Sequence, residues 1–518
     1  MNRLVGRIDE LITAQAERRP DALHLILADG SFARYADTAA RARNLAAALA
    51  AFGVRPGDRV ASFMGNSREL YEFFVACGLL GAIGVPFNTL SSTREIDRIV
   101  ADCEPRAFIV ESRFLDCVAG ASLTGVGCRI LAQGTADGWR SYDETVASAP
   151  RTHFSADGRP ADEPAMMIYS SGTTGTPKGI LLSHQGLVDN ARMTAGVLGY
   201  RDTDRFITLL PSFSSFGFSF DFAQAALVGA ATVILPQFSP ERAIDLIDRY
   251  RVTCLAGVPT MFARMFEPSM LGSSDVSSLR LIDVGGGPVS VRLKSDLRSI
   301  YGIETVESYG LTEISPVASV QPPGGDSEGA SCGPPLPGIE VSVVNGAAEP
   351  VPVGDAGELL FRCKTIMVGY WGKPELTAET LRGGWLHTGD IGKVDANGNI
   401  HILDRLKDMI VTNGFNVYPK EVENTICELD AVQTAAVVGV SHAIRGEDIC
   451  AFVVPKPGMT LAEADIVRHC QKYVGKFKVP RHLVIINQLP LTANGKIQRF
   501  ELRKRAAEIV QAAERGSR

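Results

Sequence analysis

The strongest constraint on this 518-residue chain is the alternation of short apolar runs with amphipathic helix patterns over its first 400 residues. Strand-like runs lie at residues 59–64, 107–110, 231–235 and 279–284. Alternation of this kind is typical of parallel sheets that are covered by helices on their faces. The sequence therefore predicts an α/β fold.

Local signals mark where several of the intervening helices begin. Residues 38–49 are rich in alanine, the best helix former. Ser92 and Glu95 have the spacing of a capping box, in which each side chain binds the other residue's backbone N–H. Ser239 precedes a proline and a glutamate, which favours a capped helix start at that point.

The residue composition and the pattern of predicted elements change twice in the second half of the chain. Near residue 333 proline and glycine become dense and strand runs follow one another, which predicts a small β-barrel over about 333–404. After residue 404 helices and strands alternate again, with a helix from Pro419 and a capping box that begins at Thr460. We expect a large N-terminal domain over 1–404 and a smaller α+β domain over 405–518.

Composition excludes several classes of protein. A net charge of −6 argues against nucleic-acid binding, and 45% hydrophobic residues argue against global disorder. The longest uncharged stretch, residues 73–93, contains glycine and proline and so predicts a buried helix, turn and strand rather than a membrane span. The ten cysteines show no C-x-x-C spacing, which favours reduced thiols in a cytoplasmic protein over zinc sites or disulfides.

The most specific local motif is the run YSSGTTGTPKG at residues 169–179. Glycines let backbone N–H groups approach a polyanion, hydroxyls add donors, and Lys178 adds a positive charge. Lys178 is followed by Gly179 and by no helix signal, so the run differs from G-x-x-x-x-G-K-[ST]. We interpret it as a phosphate-binding loop; the alternative is a flexible surface loop.

Three further motifs carry groups that suit a nucleotide. Tyr309 offers an aromatic face for a base, and Thr312 and Glu313 offer hard oxygen ligands for Mg²⁺. Asp390, in GWLHTGD, can accept from ribose hydroxyls, although it could also cap a turn. Lys496 follows an Asn-Gly hairpin signal and, taken alone, is an ordinary solvated lysine.

The segments YSSGTTGTPKG, SYGLTE, GWLHTGD, DRLKDMIVTNGFNVYPKEVE and PLTANGKIQR, in this order, resemble those of the adenylate-forming superfamily. That superfamily contains acyl-CoA synthetases, luciferases and peptide-synthetase adenylation domains. The resemblance extends to about Arg503 and implies two half-reactions. A carboxylate first attacks the α-phosphorus of ATP and releases pyrophosphate, and a thiol then attacks the acyl-adenylate and releases AMP.

The resemblance also implies which residues bind ATP and AMP. These are Ser170, Ser171, Gly172, Thr173, Thr174, Gly175, Thr176, Lys178, Gly286, Gly287, Glu307, Ser308, Tyr309, Gly310, Thr312, Asp390, Ile402, Arg405 and Lys496. Residues 170–178 would hold the β- and γ-phosphates, Tyr309 would stack on adenine, and Asp390 with Arg405 would hold the ribose.

The implied catalytic residues are Lys178, Thr312, Glu313 and Lys496. Thr312 would bind the α-phosphate, Thr173 with Glu313 would hold Mg²⁺, and Lys496 would reach the reacting carboxylate. Charge develops on phosphate and carboxylate oxygens in the transition state, so cations placed there lower the barrier.

In this superfamily the C-terminal domain rotates between the two half-reactions. The resemblance implies a hinge at Lys407, and a hinge residue absorbs a large change in φ and ψ. After rotation, the segment with Gly414 and Phe415 would line the tunnel of the incoming thiol.

The acid pocket is the part of the site where the sequence departs from the usual pattern. The implied lining is Phe213, Ser214, Gly217, Phe218, Asp221, Gly286, Gly310 and Ser315. Ser214 stands where many relatives carry histidine. Asp221 in an apolar pocket would need a cation such as a substrate ammonium; the alternative is that it caps or pairs with a neighbouring segment.

Two functions stay open at this point, an acyl-CoA ligase and a stand-alone adenylation enzyme. The second would load an amino acid, including a β-amino acid, or an acyl group onto carrier-protein phosphopantetheine. A non-catalytic module is disfavoured because the charged site residues are all present. The expected ligands are a small carboxylic or amino acid, ATP, Mg²⁺ and coenzyme A or a carrier protein, and the expected state is monomer or homodimer.

Overall fold

The computed structural model describes residues 5–150, 152, 154, 159–170, 178–287, 291–325, 331–413, 415–442, 445–491 and 497–516. Within these ranges no helix is long and apolar enough to cross a membrane.

Twenty-five strands occur in the described residues. In chain order they are β1 (Leu23–Ile26), β2 (Phe32–Arg34), β3 (Arg59–Phe63), β4 (Ile83–Pro86), β5 (Ala107–Glu111), β6 (Cys128–Ala132), β7 (Arg140–Ser141), β8 (Pro164–Ser170), β9 (Lys178–Ser183), β10 (Arg205–Ile207), β11 (Ala231–Val233), β12 (Cys254–Gly257), β13 (Leu281–Gly285), β14 (Glu304–Gly310), β15 (Val317–Val320), β16 (Glu340–Val344), β17 (Gly357–Arg362), β18 (Gly369–Tyr370), β19 (Leu386–Val394), β20 (Ile400–Arg405), β21 (Ile410–Thr412), β22 (Phe415–Val417), β23 (Val432–His442), β24 (Gly446–Pro455) and β25 (His482–Ile485).

The α-helices of the same residues are α1 (Ile8–Arg18), α2 (Tyr35–Ala51), α3 (Arg68–Leu80), α4 (Thr93–Cys103), α5 (Leu115–Ala119), α6 (Tyr142–Ala147), α7 (His184–Leu198), α8 (Ser215–Gly217), α9 (Ala225–Val228), α10 (Pro240–Tyr250), α11 (Pro259–Met265), α12 (Pro268–Leu271), α13 (Val291–Tyr301), α14 (Pro374–Thr380), α15 (Pro419–Cys427), α16 (Glu463–Tyr473) and α17 (Arg499–Gly516). Between α8 and α9 the chain continues as a π-helix, Phe218–Gln224.

Two large sheets, both mostly parallel, form the body of the N-terminal part. One has the strand order β15-β14-β13-β12-β10-β11-β1-β2, and the other has the order β18-β9-β8-β4-β3-β5-β6-β7. The antiparallel pairs lie towards the ends of the sheets, at β14–β15, β1–β2, β8–β9 and β9–β18. This is the predicted α/β arrangement, and the predicted fold class is confirmed.

Two smaller sheets follow in the chain. Strands β16, β17, β19 and β20 form an antiparallel sheet, and β21 to β25 form the sheet of the C-terminal part. The predicted β-barrel is thus an open sheet here, since no pairing among the described strands closes it and four strands are few for a closed barrel. Strand β20 ends at Arg405 and β21 begins at Ile410, so a linker, residues 406–409, connects these two sheets.

Several local predictions match the structure. Ser92 and Ser239 are the N-caps of α4 and α10, and Ser92 forms the capping box with Glu95. The uncharged stretch 73–93 contains buried α3, a left-handed turn at Gly81 and strand β4. The prediction of a capping box at Thr460 is wrong. The N-cap of α16 is Ala462, and Thr460 lies two residues before that N-cap.

All ten cysteines are free, and seven of them are buried. This confirms the expectation of scattered, mostly buried thiols. A buried free cysteine behaves as a small apolar side chain, and burial raises the pKa of thiols such as Cys128 and Cys470 to about 11.

A buried carboxylate holds three helices of the N-terminal part together. Glu72, on α3, has no solvent exposure and accepts from Arg41 Nε on α2 at 2.7 Å and from Arg68 Nε at 2.7 Å. Its second oxygen accepts from the Tyr142 hydroxyl on α6 at 2.9 Å. Both oxygens are therefore satisfied by groups from α2, α3 and α6.

We expect Glu72→Ala to lower the free energy of unfolding by about 3–5 kcal/mol, because two guanidinium groups and a buried phenol lose their shared partner. Urea unfolding followed by circular dichroism would measure the change. The matched control is Glu17→Ala, on the exposed side of α1, which we expect to change the value by less than about 0.5 kcal/mol. A loss below about 1 kcal/mol for Glu72→Ala would show that the cluster is not a stabilising contact.

Candidate active site

The predicted phosphate loop lies at the turn of a β-hairpin. Strands β8 and β9 pair antiparallel, and Ser170 and Lys178 are direct partners at the end of the ladder. The glycine- and hydroxyl-rich residues between them, Ser171, Gly172, Thr173, Thr174, Gly175 and Thr176, lie outside the described residues. As predicted, no helix begins after Lys178; the chain returns as a strand instead.

Tyr370, which was not predicted from the sequence, contacts both Lys178 and Glu313. The Lys178 ammonium lies 5.0 Å from the centroid of the Tyr370 ring, and the Tyr370 hydroxyl donates to Glu313 Oε1 at 2.9 Å. Strand β18, which carries Tyr370, pairs with β9 beside the loop. The residues around Tyr370, VGYWG, form no motif that indicates a function. Only the pairing of β18 with β9 shows that Tyr370 lies beside Lys178.

Tyr309, Asp390 and Arg405 form a second cluster. The Tyr309 hydroxyl donates to Asp390 Oδ2 at 2.6 Å, and Arg405 Nε lies 2.9 Å from Asp390 Oδ1. Asp390 is buried, whereas half of the Arg405 side chain is exposed. Burial and the Asp390 carboxylate both raise the pKa of the Tyr309 phenol, so it remains a neutral donor. The structure thus brings Asp390 and Arg405 together and adds the Tyr309 hydroxyl to them.

Thr312 lies between the two clusters. It opens a 3₁₀ turn, Thr312–Ile314, directly after β14, and its Oγ1 is 2.9 Å from Ser215 Oγ. Ser215 is the first residue of α8, so this contact fixes the start of that helix beside Thr312. Neither Ser215 nor its neighbour Phe216 was predicted to belong to the site, although both lie inside the segment assigned to the acid pocket.

The predicted glycines of the site follow strand β13 and end strand β14. Gly286 and Gly287 are exposed, and Gly286 has a φ of 74°, which favours glycine. A β-carbon at Gly310 would collide with the Pro316 carbonyl oxygen, so only glycine allows that close approach. Gly286, Gly287 and Gly310 thus keep backbone surface free of side chains around Tyr309.

Glu307, Ser308 and Ile402 were also assigned to the nucleotide. Glu307 is buried in an ion pair with Lys294 at 3.3 Å, and burial raises the pKa of its carboxyl. Ser308 lies on the other face of β14, beside Gly285. Ile402, on β20, accepts through its carbonyl from Lys420 Nζ at 3.1 Å. Glu307 is therefore positioned as a structural residue.

In the acid-pocket segment, Ser214 acts as a helix cap. Its hydroxyl donates to the Pro211 carbonyl at 2.7 Å and accepts from the Gly217 N–H at 3.2 Å. A β-carbon at Gly217 would collide with the Pro211 carbonyl oxygen, so glycine is required there. Phe213, two residues after Pro211, is buried. Ser214 thus caps the N-terminus of α8, and its side chain does not close off the acid pocket.

Three other residues assigned to the pocket are turned to other partners. Phe218 is fully buried and packs edge-to-face on Phe74, at 4.9 Å between ring centroids. Asp221 is fully buried, and its Oδ2 accepts from the Ser212 hydroxyl at 3.3 Å. The buried Ser315 hydroxyl donates to the Thr365 carbonyl at 2.8 Å. For Asp221 these contacts favour the alternative interpretation, pairing with a neighbouring segment.

Phe216 is the aromatic residue that faces the sheet instead. A β-carbon at Gly285 would lie 3.1 Å from the Phe216 ring and 2.7 Å from Ser308 Oγ. Phe216 therefore lies over the end of β13, next to Gly286. The sequence does not show which face of the sheet Phe216 covers.

The linker and the C-terminal part are joined by a few polar contacts. Asp404 Oδ2 accepts from the backbone N–H of Lys420 at 2.9 Å, in the first turn of α15, and Oδ1 accepts from the Arg405 N–H at 2.8 Å. Lys407, the predicted hinge, is exposed, and its carbonyl accepts from Arg503 at 3.3 Å. Of the predicted thiol-tunnel residues, Phe415 stacks on Phe477 at 4.7 Å.

Two residues with predicted roles in the C-terminal part, Gly414 and Lys496, lie outside the described residues. Among the residues that the structure does describe, no group of three or more His, Cys, Asp or Glu side chains forms a metal site. A single carboxylate, as at Glu313, is compatible with Mg²⁺, which is commonly held by one or two carboxylates together with substrate phosphates.

Comparison with known proteins identifies the class of this arrangement. Residues 12–371 match the AMP-binding enzyme family, and residues 421–496 match the AMP-binding enzyme C-terminal domain. A feruloyl-CoA synthase from Amycolatopsis sp is 34% identical over 486 residues, which are 92% of this chain and 94% of that protein. The fatty acid–[acyl-carrier-protein] ligase ScoC of Streptomyces coeruleorubidus is 33% identical over 492 residues, 93% of each chain.

Solved structures agree with these relatives. The crystal structure of the anthranilate CoA ligase AuaEII in complex with anthranoyl-AMP has a TM-score of 0.91 and 30% identity, and the match covers 98% of both chains. Fold, site and relatives together define an adenylate-forming acid–thiol ligase. The chain belongs to the AMP-binding enzyme family and is an AMP-forming acid–thiol ligase of the acyl-CoA synthetase type, with ATP as co-substrate.

We expect Asp390→Ala to raise the KM for ATP by about 10- to 150-fold, because Tyr309 and Arg405 lose a charged partner worth about 1.5–3 kcal/mol. Acid-dependent exchange of pyrophosphate into ATP would measure it. Asp355→Ala, at an exposed position just before β17, is the matched control and should keep the wild-type KM. An unchanged KM in Asp390→Ala would rule out contact with the nucleotide.

Proposed function

We propose that this enzyme activates a small aromatic acid with ATP and transfers the acyl group to coenzyme A through the residues described above. The observation that carries the proposal is the short segment from Tyr309 to Glu313. Its first residue bonds the Asp390–Arg405 pair and its last bonds the Tyr370–Lys178 pair, with Thr312 between them. A nucleotide laid along this segment would have its ribose at Asp390 and its terminal phosphates at Lys178.

The first half-reaction joins an oxygen of the acid carboxylate to the α-phosphorus and breaks the bond from that phosphorus to the pyrophosphate oxygen. Thr312 would donate to the α-phosphate, and Lys178 would balance the charge that develops on the leaving pyrophosphate. These roles follow the electrostatic logic of phosphoryl and nucleotidyl transfer. Lys496 would bring a further cation to the reacting carboxylate.

Glu313 is the residue proposed to hold Mg²⁺, with Thr173 beside it. One Glu313 oxygen accepts from the Tyr370 hydroxyl, which fixes the carboxylate in one orientation and leaves its other oxygen for an ion. When bound, Mg²⁺ neutralises the charge of the phosphate oxygens.

In the second half-reaction the thiol sulfur attacks the acyl carbon, and the acyl–oxygen bond to AMP breaks. We propose that the C-terminal part turns about Lys407 between the two steps and brings Gly414 and Phe415 to the thiol. Exposure of Lys407 and of more than half of the Phe415 side chain supports these roles. Exposed residues can change their backbone angles or partners at little cost in buried area.

The proposed acid class rests on Phe216 and on the named relatives. The Phe216 ring packs on the backbone of Gly285 and stays partly exposed next to Ser215, so it would offer an aromatic face to a flat acid near Thr312. The feruloyl-CoA synthase and the anthranilate CoA ligase are named for aromatic acids.

Coenzyme A is the proposed acceptor, since most of the named relatives are CoA ligases. A carrier-protein pantetheine is the second candidate, favoured by the similarity to ScoC, which is named as an acyl-carrier-protein ligase. A cytoplasmic location is proposed on the evidence of ten free thiols, which suit a reducing compartment.

Pyrophosphate release across a panel of benzoic, cinnamic, phenylacetic, fatty and β-amino acids would test the proposal, followed by thioester formation with coenzyme A or a phosphopantetheinylated carrier protein. We expect aromatic acids to be activated and the thioester to form with coenzyme A. Activation of β-amino acids alone, with transfer only to the carrier protein, would replace this proposal by the second candidate.

Two substitutions should separate the half-reactions. We expect Lys496→Ala to abolish pyrophosphate release but to spare thioester formation from a supplied acyl-adenylate. Lys407→Pro should leave adenylation largely intact and slow thioester formation, because proline fixes φ at the hinge. Single-turnover assays of each step would measure both.

The matched control is Lys407→Ala, which removes the same side chain and keeps φ free. A proline at Lys373 would not serve, because Lys373 is the N-cap of α14. We expect Lys407→Ala to retain both steps. Equal loss of both steps in Lys496→Ala, or a normal second step in Lys407→Pro, would contradict the proposed roles.

A further inference from the structure

The last turn of α4 carries an aspartate that contacts residues on both sides of strand β9. The Tyr169 hydroxyl, on β8, donates to Asp102 Oδ2 at 2.5 Å, and the Trp371 indole N–H donates to the Asp102 carbonyl at 3.0 Å. Trp371 directly follows β18. Neither Asp102 nor Trp371 was predicted from the sequence, and the proposed mechanism uses neither of them.

Tyr169 and Trp371 lie on either side of Gly179, the second residue of β9. Tyr169 pairs with Gly179 in the β8–β9 ladder, and the Trp371 N–H donates to the Gly179 carbonyl at 2.8 Å. A β-carbon at Gly179 would lie 3.2 Å from the Tyr169 ring, so this ring lies against the glycine backbone. Both aromatic side chains pack against the apolar cluster that contains Val100 and Cys103 of α4. They therefore lie on the face of the sheet that α4 covers.

The opposite face of the same strand ends carries residues of the proposed site. Successive residues of a strand point to opposite faces. Lys178 therefore points away from α4, as does Tyr370, which pairs with Ile180. The Lys178 ammonium lies 5.0 Å from the centroid of the Tyr370 ring, and the Tyr370 hydroxyl donates to Glu313. The end of α4 thus supports, from behind, the strand ends on which Lys178 and Tyr370 stand.

Arg59 fixes the last turn of α4 against the sheet. Its guanidinium donates to the carbonyls of Cys103 at 2.7 Å and Glu104 at 3.2 Å, at the carbonyl end of the helix. The same guanidinium lies 5.1 Å from the centroid of the Trp371 ring, which is a cation–π contact. Arg59 begins β3, which lies two strands away from β8 in the sheet. Asp102 is therefore anchored to the body of the sheet as well as to the hairpin.

The position of Asp102 is unfavourable for the helix itself. A carboxylate in the last turn of a helix meets the negative end of the helix dipole, which disfavours it. Asp102 is also exposed, so its side chain fills no gap in the core. Burial, above all, raises the pKa of the Tyr169 phenol, so this group stays a neutral donor to Asp102. The contact with Tyr169 therefore supplies a reason for an aspartate at this place.

We propose that Asp102 is a positioning residue for the β- and γ-phosphates of ATP. It holds Tyr169 through its side chain and Trp371 through its backbone, and so keeps the ends of β8, β9 and β18 in place behind Lys178. This inference rests on the proposed function, in which Lys178 balances the charge of the leaving pyrophosphate. Asp102 acts through the two aromatic side chains and makes no contact with ATP in this proposal.

The effect of Asp102 should be specific to the pyrophosphate part of ATP. The proposed contacts of the adenosine part come from Tyr309 and Asp390, which stand on β14 and β19 of two other sheets. A displaced Lys178 would therefore weaken the binding of ATP and leave the binding of AMP as it is. The second half-reaction involves no pyrophosphate, so it should be unaffected as well.

The test compares the wild type with Asp102→Ala, Asp102→Asn, Tyr169→Phe and the double variant that combines Asp102→Ala with Tyr169→Phe. The matched control is Asp97→Ala, on the same helix, whose carboxylate accepts from the Ser122 N–H at 2.6 Å. Pyrophosphate release, with an acid that the wild type activates, gives the KM for ATP and the inhibition constant of AMP. Thioester formation from a supplied acyl-adenylate and the Tm complete the readouts.

We expect Asp102→Ala and Tyr169→Phe each to raise the KM for ATP by about three- to tenfold, since each removes one partner of a charge-assisted hydrogen bond. The double variant should resemble the single variants, because both changes break the same contact. Asp102→Asn keeps an acceptor oxygen and should lie between Asp102→Ala and the wild type. AMP inhibition and thioester formation should match the wild type in every variant, and Asp97→Ala should match it throughout.

An unchanged KM for ATP in Asp102→Ala, additive effects in the double variant, or an equal loss of AMP inhibition would overturn the inference and leave the proposed function standing. The same rise of KM in Asp97→Ala would assign the effect to the stability of α4 and would overturn it too. If Asp102→Ala fails to fold, Asp102→Asn and Tyr169→Phe decide the question. Failure of the wild type to release pyrophosphate with any acid would overturn the proposed function, and the inference with it.

Discussion

The hydrogen-bonded group of Tyr309, Asp390 and Arg405 is the contact on which the arrangement of this enzyme depends. It joins the end of β14, in one of the two large sheets, to β19 and β20 of the small antiparallel sheet. Arg405 is also the last residue before the linker. One buried carboxylate therefore positions the proposed nucleotide contacts and the starting point of the C-terminal part together.

Much of this architecture could be predicted from the sequence, because the relevant signals are local. Helix caps such as Ser92 and Ser239, and the absence of a helix after Lys178, each follow from short-range sterics or hydrogen bonding. The capping box predicted at Thr460 is not formed; α16 begins at Glu463, with Ala462 as an N-cap that has no side-chain hydrogen bond.

The residues that were missed depend on contacts between distant segments. Tyr370 reaches Glu313 only because β18 pairs with β9, and no pattern around Tyr370 reveals that pairing. Asp221 shows the same limit. Its position in an apolar segment does not tell which way its side chain faces, and only the folded chain shows that Asp221 accepts from the Ser212 hydroxyl.

The close contact between Phe216 and the backbone of Gly285 has a consequence for the residues around Thr312. One added methyl group at Gly285 would force the Phe216 ring to move. Phe216 follows Ser215, whose hydroxyl is 2.9 Å from that of Thr312, so a displaced ring would also disturb this contact. A glycine that forms no side-chain contact of its own thus helps to hold Thr312 in place.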